Sequence, residues 1–256
     1  MGGDPPMTDT LGFDRRIELA WLDLIASKYA ETRDPSEAFD ATRAVVELTV
    51  GGGASHHNAT GKTTTVLARI WLRVPLSAAR LRDEASAAIT HVPPADRAAV
   101  HWAMAALAYP FFLDAAAAAG RLLRLQDDFT LTQFKQRLAE RWGARGTMPT
   151  AAQRLLHTWA SWGALEILPD RGHFGPAARI GVGEAATGVA ARARVLAEQS
   201  RAVRVADIRT LPDMFPFELA DPRPGLKEAP DVVLHGSGSG LLASAVTDSV
   251  RLVTGP

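Results

Sequence analysis

The segment from Phe129 to Val182 constrains this chain most, because two amphipathic helical patterns, a tight turn and a hairpin pattern follow one another without a break. In FTLTQFKQRLAERWG, Thr130 is placed to cap a helix, and Leu131, Phe134, Leu138 and Trp142 recur at the three-to-four spacing of one buried face. Gly143 ends that pattern. A short turn, ARGT, leads into MPTAAQRLLHTWASWG, where Thr147 can cap, Pro149 suits the first helical turn and Gly163 stops the helix. Ala164 to Leu168 then has the pattern of a strand, and Asp170-Arg171-Gly172 supplies turn chemistry before a return segment.

Within the second helix Ala152, Leu155, Leu156, Trp159 and Trp162 share one face, and Thr150, Gln153, Arg154, His157, Thr158 and Ser161 share the other. The second set is polar and carries no acid. Such a face suits a major groove, since Gln and Arg pair with base edges and hydroxyls reach phosphates; the plain alternative is an ordinary solvated helix. Arg145 in the turn, with Arg171 and His173 at the hairpin tip, completes the set expected to meet DNA. Helix, turn, helix and two-stranded hairpin together resemble the winged helix-turn-helix superfamily over roughly a quarter of the chain.

Charge sharpens the expectation. The formal net charge is zero, which argues against a generic polyanion binder. Residues 1–60 carry 5 basic and 10 acidic side chains, whereas residues 121–180 carry 9 basic and 5 acidic, a local excess of +4. The basic segment suits DNA, and the acidic N-terminal part suits a protein partner. The absence of cysteine excludes disulfides, a thiolate zinc site and a thiol nucleophile. The opening MGGDPPMTDTLGFD lacks the pattern of a secretory signal, so a cytoplasmic location is expected. The longest apolar candidate, Ala98 to Leu125, is broken by His101, Pro110, Asp114 and Arg121, too early for a membrane span.

Upstream, helical patterns run over Phe13–Tyr29, Ser36–Val50, Thr63–Arg73 and Ala95–Leu125, the last interrupted at Tyr109-Pro110-Phe111-Phe112. Downstream, Gly181 to Gly188 reads as an exit from the hairpin and Val189 to Ser200 as a short helix. RAVRVADIR, FPFEL and DVVLHG read as strands, and the GSGSG run as a flexible turn. The expected fold is mainly α: a tail at 1–12, a helical domain at 13–125, the winged helix-turn-helix at 126–185 and a small β-containing appendage at 186–256.

AVVELTVGGGASHHNATGKTTTV, at 44–66, invites a different chemistry, because a β-like apolar run, glycines and Gly61-Lys62-Thr63 resemble a Walker A loop. The glycine required five positions before the Gly-Lys pair is here His56, and no second strand ends in a convincing magnesium-binding acid. The simpler reading has Thr60 capping a helix. His56 and His57 lack a histidine at helical spacing, so no metal site is expected, and His101 reads as a packed core residue.

The order of elements is also similar to the BrxA-type accessory proteins of bacterial BREX phage-defence systems, through Asn58–Leu72, the helix with Tyr109–Phe112, and Phe129–Leu168. That resemblance implies a small, mostly helical protein with a DNA-binding winged helix. It offers Lys62, with Thr63 to Thr65, as a phosphate-contacting helix start. The leading expectation is therefore a non-enzymatic duplex-DNA-binding protein without a cofactor that positions partner proteins on DNA. The alternatives are a small P-loop NTPase or kinase and a scaffold whose winged helix binds protein.

Overall fold

The computed structural model describes residues 11–13, 15–50, 58–143, 146–198, 201–238 and 240–246. Six helices precede the basic segment: α1 (Leu19–Thr32), α2 (Pro35–Val50), α3 (Ala59–Trp71), α4 (Ala79–Ile89), α5 (Pro94–Ala108) and α6 (Pro110–Leu125). The expected split at Tyr109 is present. Tyr109 is extended (φ −132°, ψ 103°), the conformation that a following proline imposes. Every residue from Ala98 to Ala108 is buried, so α5 is the central helix of the molecule, packed on all sides. α4 escapes the sequence pattern because its buried stripe is only Leu81, Ala85, Ser86 and Ile89 among charged neighbours.

β1 (Phe129–Thr130), α7 (Leu131–Trp142), α8 (Met148–Ser161), β2 (Leu165–Ile167) and β3 (His173–Pro176) follow. The three strands form one antiparallel sheet in the order β1-β3-β2, with Phe129 opposite Phe174 and Leu165 opposite Pro176. Thr130 caps α7 as its sequence predicts: its side chain accepts from the Gln133 N–H at 3.1 Å while Gln133 reaches back to the Thr130 N–H at 2.7 Å. Thr147 does not cap α8. Its backbone is already helical (φ −89°, ψ −19°), and a capping side chain requires an extended residue there.

The remaining elements are β4 (Ile180–Val182), α9 (Glu184–Glu198), β5 (Val203–Arg204), β6 (Phe217–Leu219), α10 (Arg223–Lys227), β7 (Val232–Ser237) and β8 (Gly240–Ala245). β4 and β6 pair in parallel, and β5, β8 and β7 form an antiparallel sheet in that order. Three expectations change here. Gly181 lies within β4 opposite Glu218 and is not a loop exit. The run RAVRVADIR is a strand only at Val203 and Arg204, where β8 pairs with it; Val205–Thr210 is a 3-10 helix in which Ala206 and Asp207 are poor strand formers. The GSGSG stretch joins β7 to β8, and its Ser237 and Gly240 are already paired.

The region expected as an appendage shares one hydrophobic core with the rest, because α9 lies along α5 and contributes Ala190, Val195 and Leu196 to it. Trp102 of α5 stands at the junction. Its ring meets Phe112 of α6, Trp159 of α8, and Phe215 and Phe217 beside and within β6, with centroids 4.9–5.6 Å apart. Its Nε1 donates to the Asp213 carbonyl at 3.0 Å. Gly120 on α6 is needed for this packing, since a Cβ there would fall 1.9 Å from the Pro212 carbonyl oxygen. The buried Arg192 of α9 holds Asp231 and Glu84, tying α9 to α4 and to the start of β7. Among the described residues no helix is long and apolar enough to cross a membrane.

Candidate nucleic-acid interface

α8 is fixed from behind and open in front. Leu155, Leu156 and Trp159 are fully buried and Ala152 with them, so the apolar stripe read from the sequence is the face that packs. Thr150, Gln153, Arg154 and Ser161 are exposed, and no carboxylate lies on the helix. Arg154 enters no ion pair among the described residues. The Ser161 hydroxyl donates to the Thr158 carbonyl at 2.8 Å, leaving its oxygen free to accept.

Thr158 is a correction to the outward set. It is fully buried, and its hydroxyl oxygen accepts the Ile17 N–H at 3.2 Å. The segment preceding α1 crosses the helix here: Trp162 Nε1 also donates to the Ile17 carbonyl at 2.8 Å. Thr158 lies three residues after Leu155 and four before Trp162, so a strap laid over the apolar stripe covers it too.

The same strap brings in a residue that sequence reading missed. Arg16 is exposed and lies close enough to His157 to act on its charge state, as does Arg154. Burial of the ring first, and then these two cations, holds the His157 pKa below the ordinary histidine value. His157 is half-buried, its ring set edge-on to Phe174 of β3 at 5.8 Å. No local pattern could reveal Arg16, because the strap joins α8 across 141 residues of chain.

The hairpin turns at Asp170 to Gly172, where Gly172 takes φ +80° and the His173 N–H donates to the Asp170 carbonyl. Arg171 is exposed at this tip and in no ion pair among the described residues. His173 is placed differently from the expectation of a free tip residue. It lies at the start of β3 opposite Thr130, and its Nδ1 is 2.8 Å from an Asp128 carboxylate oxygen, so it ties the hairpin to the start of α7. The hairpin also exposes Glu166, Asp170 and Ile167, the last at 55%. Arg145 lies outside the described residues.

Lys62 is exposed on the first turn of α3, but α3 packs mainly on α1, α2 and α5, a different group of elements from α8 and the hairpin. The cap of α3 is Asn58, whose Oδ1 accepts the Gly61 N–H at 2.7 Å; Thr60, the expected cap, is buried inside the helix. Residues 44–50, which read as a β-like run before a phosphate loop, are the last turns of α2. A Walker loop connects a strand to a helix, and the element before this loop is a helix. His56, His57 and the glycines at 51–53 lie outside the described residues. His101 is fully buried with its Nε2 2.9 Å from Asp23, and desolvation lowers its pKa, which makes it a neutral core residue as its position on α5 implies.

Compared with known protein families, curated proteins and solved structures, the chain matches none. Among the described residues no group of three or more His, Asp or Glu side chains is arranged to hold a metal ion.

Proposed function

We propose that β1, α7, α8, β2 and β3 form a winged helix-turn-helix, and that this protein is a non-enzymatic accessory protein that binds duplex DNA. α8 enters the major groove and the turn at Asp170 to Gly172 lies as a wing along the neighbouring backbone. The observation carrying this reading is the coincidence of topology and surface. Two helices sit between β1 and β2, β3 pairs between those strands, and the one open face of α8 offers Gln153 and Arg154 with no acid. Gln and Arg are the side chains that read adenine and guanine edges, while Arg171, and Arg16 on leaving its ion pair with Glu18, would meet phosphates at the margins.

The accessory role draws on a second surface. Val45 and Leu48 are exposed on one face of α2, with Leu48 at 89%, in the acidic N-terminal part. We assign this face to a protein partner held near DNA, in keeping with the resemblance to phage-defence accessory proteins.

Mobility-shift titration of the full chain on duplex DNA over a salt series tests the assignment. Affinity is expected to fall steeply with salt, and Arg171→Ala to make the log–log slope shallower by about one unit for every sequence tried, as a lost phosphate contact does. No shift at about 50 mM salt, where counterion release favours even non-specific complexes, sinks the proposal.

A further inference from the structure

A cleft of about 490 Å³ opens where the C-terminal end of α6, the β3–β4 connection and the two 3-10 turns before β6 meet. Its floor is apolar, formed by Leu123, Leu211, Met214 and Phe215. Its polar side chains are three arginines and Thr210. Arg124 donates to the Thr210 carbonyl, Arg179 to the Phe217 carbonyl, and Arg209 Nε to the Leu219 carbonyl at 2.9 Å. Each guanidinium is thus oriented by a neutral backbone oxygen, with N–H groups left over. None of the three is in an ion pair among the described residues, and no residue lining the cleft is acidic. Asp221, whose carboxylate feels the Arg209 charge, is itself bound by Arg223 at 2.7 Å.

Three exposed arginines line one concave surface that has no acid among its lining residues, and the carboxylate beside Arg209, that of Asp221, is taken by Arg223. We infer that this cleft is a binding site for an organic phosphate of mononucleotide size. The volume lies within the range of small-ligand sites, roughly 300–1,000 Å³. Arginine forks match phosphate oxygens, a phosphate dianion suits three charges better than a single carboxylate does, and the apolar floor takes the ligand's body. The cleft includes Pro176, at the end of the β2–β3 ladder away from the tip, about 10 Å along the strand from His173. None of its lining residues belongs to the set assigned to DNA, and its occupant is a small ligand.

Calorimetric titration of the full chain with AMP, GMP, CMP, UMP and glucose 6-phosphate, beside adenosine and inorganic phosphate, tests this. At least one of the phosphate esters is expected to bind with Kd below about 1 mM, the weak end of specific recognition. Adenosine and inorganic phosphate should be tenfold weaker or worse. Arg179→Gln should reduce ester affinity at least tenfold. Because Arg179 also holds a backbone carbonyl, Ala177→Glu is the second variant: it leaves all three arginine contacts in place and puts a carboxylate into the cleft. It should abolish ester binding with an unchanged Tm. The inference is overturned if no ester binds, if inorganic phosphate binds as tightly as the esters, or if folded Ala177→Glu binds as the wild type does.

Discussion

The first two turns of α3 carry Gly61-Lys62-Thr63-Thr64-Thr65, and the open face of α8 carries Thr150, Gln153, Arg154 and Ser161. Both offer hydroxyls and a cation on a helix, and in sequence both invite a phosphate. The fold treats them oppositely. Thr60, Thr63 and Thr64 are at most 2% exposed, and the Thr64 hydroxyl donates to the Thr60 and Gly61 carbonyls at 3.0 and 3.1 Å. α8 buries its tryptophan and leucine stripe, with Thr158 beside it, and leaves Thr150, Gln153, Arg154 and Ser161 in solvent. A threonine-rich helix start can therefore be core material, because a threonine that bonds its own helix carbonyl brings only a methyl group to the packing. The polar face of a helix with a strong apolar stripe stays outside.

Six substitutions, in five variants, break or sharpen this contrast. The largest effect belongs to an acid placed in each helix. Thr64→Asp buries a carboxylate without a partner and should cost at least about 2 kcal/mol of stability, read as a lowered Tm. Thr150→Asp, in the exposed first turn of α8, should leave Tm unchanged or slightly raised through the helix dipole while abolishing the DNA shift. Equal stability losses in the two variants would erase the distinction.

Gln153→Ala with Arg154→Ala comes next. Neither residue belongs to the buried stripe, so the double variant should fold normally and lose on the order of 1–3 kcal/mol of DNA affinity per base contact removed. Unchanged affinity removes α8 from the interface.

A smaller effect is expected from pH. In the free protein His157 is held neutral, its pKa lowered by burial and by Arg16 and Arg154. A phosphate beside it would favour the protonated ring, so binding takes up a proton and affinity should rise as pH falls below the ordinary value of 6.5. His157→Gln should flatten that dependence. His101 gives stability a separate pH dependence. Its folded pKa is lowered, so stability is full above 6.5 and declines as pH falls from there towards the folded value, where the unfolded chain alone takes up the proton. His157, its pKa also lowered, adds to that loss, so thermal melts of His157→Gln without DNA isolate the part due to His101. The smallest effect is that of Lys62→Ala, which removes one exposed charge from a helix remote from α8 in its packing. DNA affinity should change by less than about twofold, because a single distant surface charge is largely screened. A tenfold loss would return α3 to the interface.

Much of this architecture is written locally. The capping box at Thr130, the Pro110 break between α5 and α6, the apolar stripes of α7 and α8, and the glycine turn of the hairpin each rest on neighbours within a few residues, which is the range that periodicity and capping report. What tertiary structure alone decided involves partners far apart in the chain. The strap at Ile17 buries Thr158 and delivers Arg16 to His157; Asp128 claims His173; β6 captures Gly181 into a strand; and α9 docks on α5 to merge the C-terminal region with the core. The arginine cleft belongs to the same class, since Arg124, Arg179 and Arg209 come from separate segments. Sequence patterns record which face of an element is apolar, because the helix or strand repeat fixes it locally. Which distant segment covers that face is decided by packing between whole elements, and only the folded chain specifies it.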